Sequence, residues 1–304
     1  MKKLFILCVV IIIIPCVVSS FFCFSFDYKF DYYENIYVRV KRVSLDRIDK
    51  VLLEDYVIGV VAGEMPVSFE MEALKAQAVA ARTYVLKKIY DNYDNEYDVV
   101  DTPLNQVYLD DEYLRNCWGI KYGENISKIR RAVSSTRGEV ITYDGEIITA
   151  FFFSTSSGET ENSEEVFVSY LPYLRSVDSS FEEGVSPVFK EVNKYSLEEF
   201  YERLGLSYSD ELSFDVLETT STGRIKEIVI NGVSFSGNDI EVGLELRSSY
   251  FSIEKDDDYV YVITKGYGHG VGMSQYGALA LALKGFKYDY IIKYYYQGVE
   301  IKKI

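Results

Sequence analysis

The stretch GEMPVSFEMEALKAQAVAARTYVL, residues 63–86, joins an irregular start to a strongly patterned helix. Pro66 restricts the residue before it to extended angles, so we expect Glu64 in extended or turn backbone just ahead of the helix. Apolar residues recur at steps of four, three and four, at Leu74, Ala78, Ala81 and Val85. Because that spacing puts them on one face, the helix is predicted to form part of the core, with a carboxylate beside its start.

The ends and the polar side of this helix also follow from the sequence. Ser68 is predicted to cap it, and Glu70 and Glu72 fall in the first turn, where acids suit the helix dipole. Lys75 and Arg82 are seven residues apart and share one line of the helix, so both are expected to lean over whatever lies beside it. The simpler alternative is that both are ordinary solvated residues.

The first 26 residues, MKKLFILCVVIIIIPCVVSSFFCFSF, carry only two charges, Lys2 and Lys3. The apolar run that follows them matches the about 20 residues that a bilayer crossing needs. Residues 1–26 are therefore predicted to be a single-pass membrane anchor with its basic end inside, and residues 27–304 to lie outside the cytoplasm. A cleaved signal peptide is the alternative, but the run is long for one and no clear cleavage site follows it.

Charge and cysteine content exclude several classes of function. The formal net charge of −15 disfavours nucleic-acid partners, because phosphate binding needs a basic face. Three of the four cysteines lie in residues 1–26, so Cys117 is the one thiol of the remaining chain, and His269 is its one histidine. An internal disulfide and a zinc site built on cysteine and histidine are excluded there. A metal held by carboxylates alone is the alternative, but no EF-hand loop or similar spacing is present, so we expect neither a metal nor another cofactor.

The rest of the chain predicts an α+β fold. YYENIYVRVKRVSLDRID, residues 32–49, is typical of a strand or hairpin, and EVITYDGEIITAFFF, residues 139–153, of a hairpin that turns at Asp144-Gly145. Residues 186–264 change to strands and turns, with a helix near 196–204, and are predicted to form a smaller β-rich lobe. The expected architecture is a helix-containing catalytic body over residues 27–304 that carries this lobe, with the transmembrane helix in front.

The C-terminal part, GYGHGVGMSQYGALALALKGFKYDYIIKYYYQGVEI, begins with alternating glycines. Such glycines allow positive φ or a close backbone approach to a ligand. Ser274 is predicted to cap a helix that stops at Gly285. A nucleophilic triad is disfavoured because one histidine and no G-x-S-x-G stretch are present, and Walker and Rossmann loops are absent.

Five motifs follow one another in order: GEMPVSFEMEALKAQAVAARTYV, AFFFSTSSGETENSEEVF, YLPYLRSVDS, STGRIKEIVINGVSFSG and GYGHGVGMSQYGALAL. Together they resemble the stage II sporulation protein D family, SpoIID, of spore-forming bacteria. The resemblance implies a membrane-anchored lytic transglycosylase that cuts peptidoglycan glycan strands during forespore engulfment, after an amidase has removed the stem peptides. It also implies cell-wall amidase or endopeptidase partners and a membrane scaffold, namely stage II sporulation proteins P and M.

The resemblance also assigns roles to individual residues. Glu64 matches the catalytic acid of the family, and Lys75 and Arg82 match basic positions of a substrate groove. Residues expected near that groove are Ser154, Thr155, His269, Gln275 and Tyr276. Where family members often have a histidine before the STSGG-like run, this chain has Phe153, so a zinc role is not expected. Related amidase enhancers share the domain, so a non-catalytic activator that binds glycan is the alternative function.

The chemistry explains why one carboxylate is enough. An ordinary glycosidase needs two, one as acid and one as base or nucleophile. In a lytic transglycosylase the 6-hydroxyl of the sugar attacks the anomeric carbon and closes a 1,6-anhydro ring. A single glutamate can protonate the leaving oxygen and then accept the hydroxyl proton, while nearby cations hold the lactyl carboxylate of the muramic sugar.

Overall fold

The computed structural model describes residues 36–167 and 169–304, which adopt a mixed helix and sheet fold, as predicted. The helices are α1 Leu53–Glu64, α2 Met71–Asp91, α3 Asp111–Trp118, α4 Tyr122–Ser135, α5 Ser163–Val166, α6 Leu197–Arg203, α7 Gly237–Gly243, α8 Gln275–Leu283 and α9 Tyr288–Tyr295. The strands are β1 Tyr37–Arg42, β2 Arg47–Leu52, β3 Val99–Val100, β4 Glu139–Tyr143, β5 Glu146–Ile147, β6 Phe152–Phe153, β7 Lys190–Ser196, β8 Phe214–Thr219, β9 Ile225–Ile230, β10 Val233–Ser236, β11 Phe251–Lys255, β12 Tyr259–Lys265, β13 Met273–Ser274 and β14 Glu300–Lys303.

Helix α2 is the centre of the helical part. It packs against α1, α4, α8, α9 and β4. The predicted face is fully buried, but burial extends almost all round the helix from Ala73 to Leu86, with Lys75 as the exception. Small alanine side chains make this possible, because they let several elements approach the helix axis closely.

The start of α2 differs from the prediction. Glu70, not Ser68, occupies the N-cap position, and its side chain makes no capping hydrogen bond. The Phe69 N–H donates to the Pro66 carbonyl at 3.0 Å, which forms a turn, and the Phe69 side chain is buried. This turn carries the chain past Ser68 before the helix begins, so the serine is left exposed.

The two predicted hairpins are confirmed within the described residues. Strands β1 and β2 pair antiparallel from Tyr37–Leu52 to Arg42–Arg47, and β3 joins β1 in parallel. Strands β4 and β5 pair across Asp144 and Gly145, which have φ values of 48° and 87°. Positive φ at both central residues matches the twist of a two-residue hairpin.

A second hydrophobic cluster lies in the strand-rich part of the chain. Strands β11, β12 and β7 form one three-stranded sheet, and β10, β9 and β8 form another. Phe200 on α6, Ile230 on β9 and Val262 on β12 are buried in this shared cluster. Helix α6 confirms the helix predicted near 196–204. The boundaries of a separate lobe at 186 and 264 stay a prediction.

The predicted anchor, residues 1–26, lies outside the described residues. Within residues 36–167 and 169–304, no helix has the length and apolar character that a membrane crossing requires.

Candidate active site

Glu64 is the last residue of α1, so the prediction of extended or turn backbone at this position is wrong. The proline constraint acts on Met65, the residue directly before Pro66, which is extended at φ −122° and ψ 138°. The Met65 N–H still donates to the Val61 carbonyl at 3.1 Å. The helix therefore continues through Glu64 and stops one residue later, which fixes the carboxylate at a rigid helix end.

Two glycines in α1 bring a distant segment against this helix end. A Cβ at Gly59 would lie 2.5 Å from the Leu109 carbonyl oxygen, and a Cβ at Gly63 would lie 2.7 Å from that of Val107. Residues 105–109, which we name the strap, therefore lie directly on the α1 backbone. The G-x-x-x-G spacing at 59–63 is the sequence signal for this contact, and it was not among the predicted features.

Side chains also hold the strap in place. The Tyr56 hydroxyl donates to Gln106 Oε1 at 3.1 Å, and Gln106 is fully buried. Asn105 Nδ2 donates to the Tyr84 hydroxyl at 3.2 Å. These contacts tie the strap to both α1 and α2, so its backbone is fixed where it meets Glu64.

The Glu64 carboxylate has one firm hydrogen bond. The Val107 N–H of the strap donates to Glu64 Oε1 at 2.6 Å. The buried Gln275 amide lies close enough to influence the same carboxylate, although Gln275 Nε2 makes no hydrogen bond of normal geometry. One carboxylate oxygen is thus held by the strap, and the side chain itself stays partly exposed.

The surroundings raise the pKa of Glu64 above its usual value. The main cause is burial, which disfavours the ionised form, while the Val107 N–H and Gln275 oppose the shift. Among the described residues, no second carboxylate contributes to this shift. Glu64 therefore retains its proton to higher pH than an ordinary glutamate, as a general acid must.

We predict that Gly63→Ala raises the pKa of Glu64 further. The new methyl group must displace the Val107 backbone, which weakens the N–H bond that stabilises the carboxylate. Gly123→Ala is the matched control, because a Cβ at this position in α4 meets nothing within 4 Å. Carboxyl-carbon NMR titration measures the pKa of Glu64 in the wild type and in each variant. If Gly63→Ala leaves the Glu64 titration unchanged, the strap does not position this carboxylate.

Gln275 and Tyr276 begin α8 beside this helix end. The Ser274 hydroxyl accepts a hydrogen bond from the Gly277 N–H at 3.1 Å, which confirms the predicted cap. The Tyr276 ring contacts the Phe69 ring edge-on at 5.0 Å, in the turn that follows Glu64. The structure therefore places Gln275 beside the Glu64 carboxylate and Tyr276 against Phe69, five residues after Glu64.

Ser154 and Thr155 contribute mainly through structure. The Ser154 carbonyl accepts a hydrogen bond from the Tyr276 N–H at 3.0 Å, and its side chain is partly exposed. Thr155 is fully buried, and its hydroxyl bonds the Ser186 hydroxyl at 2.7 Å. Ser154 thus lies next to the start of α8, whereas the Thr155 side chain is buried, and its predicted place near the substrate stays a prediction.

The alternating glycines accommodate the protein's own backbone. Gly266, Gly268, Gly270 and Gly272 all have positive φ, as predicted. A Cβ at Gly272 would lie 2.1 Å from the Phe151 carbonyl oxygen, and one at Gly266 would lie 2.8 Å from that of Thr155. The close approach therefore joins this segment to residues 151–156 and orients the start of α8.

His269 packs against the fold while its side chain stays partly exposed, so its predicted position near the substrate stays a prediction. Its Nδ1 accepts a hydrogen bond from the Val271 N–H at 3.1 Å, and the ring also hydrogen-bonds the Phe152 backbone. Phenylalanine rings surround it at 5.4 to 5.9 Å: Phe151, Phe153 and Phe167. Burial, with a smaller effect of Arg224, lowers the pKa of His269 to about 4, so the ring is neutral near pH 7.

This shift predicts a loss of stability in acid. His269 titrates near its usual 6.5 in the unfolded chain but at about 4 when folded, so the unfolded state binds more protons between these values. The free energy of unfolding should therefore fall as the pH drops from about 6.5 to about 4. Urea unfolding of wild type and His269→Gln across this range measures the effect. An equally steep fall in the Gln variant would refute the assignment to His269.

Of the two cations predicted to line a groove, Lys75 is the one that remains near the surface of α2. Its Nζ pairs with Glu72 at 2.8 Å and lies 5.6 Å from the centre of the Tyr288 ring. The Lys75 side chain is 22% exposed. Its ammonium group is therefore accessible to a ligand, although it already has an intramolecular partner.

The Arg82 side chain lies inside the fold rather than at the surface, and its predicted role in substrate binding stays a prediction. Its side chain is fully buried and makes a two-point contact with Glu54 of α1, with both N–O distances at 2.8 Å. It also donates to the carbonyls of Glu139 at 3.1 Å and Val133 at 3.3 Å. Lys75 and Arg82 share a helix line, but α1, α4 and β4 cover that line at Arg82.

Two glutamates of the acidic loop at 159–164 are held in ion pairs. Glu161 is fully buried and pairs with Arg224 at 3.0 Å. Glu164 pairs with Arg175, and this contact holds the pKa of Glu164 down at about 2. Glu161 therefore has a structural partner, and Glu164 is ionised at neutral pH.

No group of three or more histidine, cysteine or acidic residues in the described part of the chain is arranged to hold a metal ion. Cys117 is a free, exposed thiol on α3. Metal independence stays a prediction from the sequence.

With this geometry in place, comparison with known proteins identifies the class: the chain belongs to the stage II sporulation protein D family. A family model described as stage II sporulation protein, SpoIID, matches residues 41–143. The chain is 41% identical over 271 residues to stage II sporulation protein D of Bacillus subtilis (strain 168), covering 88% of this chain and 79% of that protein. The protein of the same name from Bacillus amyloliquefaciens is also 41% identical over 271 residues, covering 88% and 78%.

A further relative carries a different name. The protein called amidase enhancer from Bacillus subtilis (strain 168) is 32% identical over 297 residues, covering 80% of this chain and 40% of that protein. The chain is thus similar both to proteins named for sporulation and to one named for an effect on an amidase.

Proposed function

We propose that this protein is a membrane-anchored lytic transglycosylase that cuts stem-peptide-free glycan strands of peptidoglycan during sporulation engulfment. The observation that carries the proposal is Glu64, a partly exposed carboxyl group with a raised pKa at a rigid helix end. A single carboxyl group with a raised pKa suits chemistry in which one glutamate both gives and accepts the proton, whereas ordinary glycosidases use two carboxylates.

The proposed reaction has two proton transfers at one group. Protonated Glu64 gives its proton to the glycosidic oxygen, and the bond from that oxygen to the anomeric carbon breaks. The 6-hydroxyl of the same muramic sugar attacks the anomeric carbon and loses its proton to the Glu64 carboxylate. The products are a 1,6-anhydro-muramic end and a free hydroxyl on the leaving strand, and Glu64 returns to its starting state.

The residues around Glu64 are proposed to have separate roles in catalysis and in substrate binding. The Val107 N–H fixes Oε1, which leaves the other carboxyl oxygen for proton transfer. The partly exposed Tyr276 and Ser154 are proposed to contact the sugar. The buried Gln275 amide is proposed to act on the substrate through the Glu64 carboxyl group, beside which it lies. Lys75 is proposed to hold the muramic carboxylate by exchanging its contact with Glu72.

The non-catalytic alternative is favoured by one observation, the similarity to the protein named amidase enhancer. In that function the chain would bind glycan and activate a partner amidase.

We also propose that residues 1–26 form a membrane anchor that leaves the rest of the chain outside the cytoplasm. The proposed protein partners are stage II sporulation proteins P and M.

Mass spectrometry of purified, stem-peptide-free strands tests the proposal, because the enzyme makes 1,6-anhydro-muramic ends and a binding protein does not. If folded protein that binds the strands makes no such ends, the alternative function is favoured.

Lys75→Ala is expected to raise KM more than it lowers kcat, since an ammonium group binds a carboxylate but supplies no proton near neutral pH. An unchanged KM with a lower kcat would contradict that role.

A further inference from the structure

A groove of about 450 Å³ lies beside α9, apart from the residues of the Glu64 site. We name it the α9 groove, and it is lined by Val177, Asp178, Tyr290, Lys293, Tyr294 and Gln297. Tyr288 of the same helix contacts Lys75 of α2, and Tyr290 is two residues further along. Residues two apart on a helix point in nearly opposite directions, so the groove faces away from α2.

Aromatic rings form one side of the α9 groove. Tyr290 and Tyr294 lie one helical turn apart on α9 with ring centres 6.1 Å apart. Phe286 precedes the helix and extends the row by stacking on Tyr290 at 4.3 Å, and the planes of both pairs lie within 26° of parallel. Phe286 is 37% exposed and Tyr290 is 44% exposed. The Tyr294 hydroxyl donates to the Asp178 carbonyl at 2.6 Å, which holds the row in place. Such a contiguous exposed aromatic surface is typical of a binding site.

Polar groups of the groove retain free hydrogen-bonding capacity. Lys293 makes no hydrogen bond or ion pair with the described residues. Asp178 Oδ1 accepts from the Ser180 N–H at 3.1 Å, which leaves its second oxygen free. Gln297 Nε2 donates to the Tyr294 carbonyl at 3.1 Å, and its amide oxygen has no partner in the described chain. An ammonium group, a carboxylate oxygen and an amide oxygen therefore converge on one aromatic surface.

We propose that the α9 groove is an ancillary binding site for a glycan strand, distinct from the cleavage site. Sugar rings present apolar C–H faces and hydroxyl edges, which suit aromatic rings beside a few fixed polar groups. The Lys293 ammonium complements the carboxylate of a muramic sugar, and this charge pairing is the basis for choosing this occupant. The free Asp178 oxygen and the Gln297 amide oxygen are proposed to accept hydrogen bonds from sugar hydroxyls. The choice of this glycan rests on the proposed function. A second contact would keep the enzyme on a long strand between cuts.

Binding is tested with the full chain in detergent, carrying Glu64→Gln so that strands stay intact. Tyr290→Ala is expected to weaken binding of stem-peptide-free strands about tenfold, the effect of truncating an aromatic anchor. Tyr93→Ala is the matched control, since Tyr93 is 79% exposed and lies outside the groove. Lys293→Ala should weaken binding of muramic strands but not of neutral chitin oligosaccharides. Thermal melts of all variants should match.

The outcomes separate this proposal from the enzymatic one. Wild type could cut strands while Tyr290→Ala and Lys293→Ala both bind glycan as well as Tyr93→Ala does. The proposal of an ancillary site is then refuted, and the proposal of a transglycosylase is retained. If wild type makes no anhydro ends yet Tyr290→Ala loses glycan binding, the groove stands and the transglycosylase does not. If both groove variants bind glycan normally but lose capture of a purified amidase, the groove is a protein-binding surface and the proposal is overturned.

Discussion

Glu64→Gln is expected to remove glycan cleavage while leaving the fold and glycan binding intact. The amide keeps the size of the side chain and an oxygen that accepts the Val107 N–H bond. It supplies no acidic proton and accepts none from the 6-hydroxyl. General acid–base catalysis contributes about 10²–10⁴-fold to enzyme rates. Because one group serves both proton transfers here, we expect the loss to reach or exceed the upper end of that range.

The measurement is the release of anhydro-muramic products from stem-peptide-free strands, with a pull-down on the same strands. Glu70→Gln provides the matched control, because Glu70 is an exposed glutamate at the start of α2 and makes no side-chain capping bond. It should cleave at the wild-type rate. The pair thus compares the same chemical change six residues apart.

The stability of Glu64→Gln provides an independent check. Burial raises the pKa of Glu64, so the folded state favours the protonated group and loses stability as pH rises through that pKa. The neutral amide removes this loss. Above the Glu64 pKa, the variant should therefore melt at the same temperature as wild type or higher. A catalytic group that costs stability is common where a site is shaped for chemistry.

Two results would contradict the assignment in different ways. If the Gln variant cuts at nearly the wild-type rate, the acid lies elsewhere. If it neither cuts nor binds but melts normally, Glu64 is a glycan contact, and the non-catalytic function gains support.

Local signals predicted the secondary structure around the site well. The positive φ values at Asp144 and Gly145, the Ser274 cap and the long helix α2 depend on neighbouring residues, so the sequence contained the information. The end of α1 was harder to predict. Its run of valines and two glycines is a weak helix signal, and the helix is stabilised by contact with the strap, more than 40 residues away.

The same contrast between local signals and distant contacts applies to the site residues. Glu64 stood out because its sequence neighbours differ from those of an ordinary helix acid. Val107 carries no signal at all, since its contribution is a backbone N–H that any residue except proline would supply. Helical spacing placed Arg82 and Lys75 on the same side of α2. Spacing alone does not show which part of that side is buried by another helix or strand. Burial of Arg82 depends on Glu54, which lies 28 residues earlier in the chain.

Arg82→Met is expected to lower the free energy of unfolding by about 3–5 kcal/mol, the cost of breaking a buried ion pair by removing one partner. Three groups lose their donor together: the Glu54 carboxylate and the carbonyls of Val133 and Glu139. Since whole domains are stable by about 5–15 kcal/mol, this would be a large fraction of the total. Lys75→Met is the matched control on the same helix line, where the partly exposed pair with Glu72 contributes about 0–1 kcal/mol.

Urea unfolding at one pH compares these variants, and Arg82→Lys provides a milder change if the Met variant does not fold. Lysine retains the charge but lacks the planar fork that contacts both Glu54 oxygens, so its loss should be intermediate. Combining Arg82→Met with Glu54→Gln should cost less than the sum of the two single changes, because the pair shares one interaction. Glycan affinity of folded Arg82→Lys should equal that of wild type, since the side chain is buried. A normal melt with weakened glycan binding would instead return Arg82 to the substrate groove.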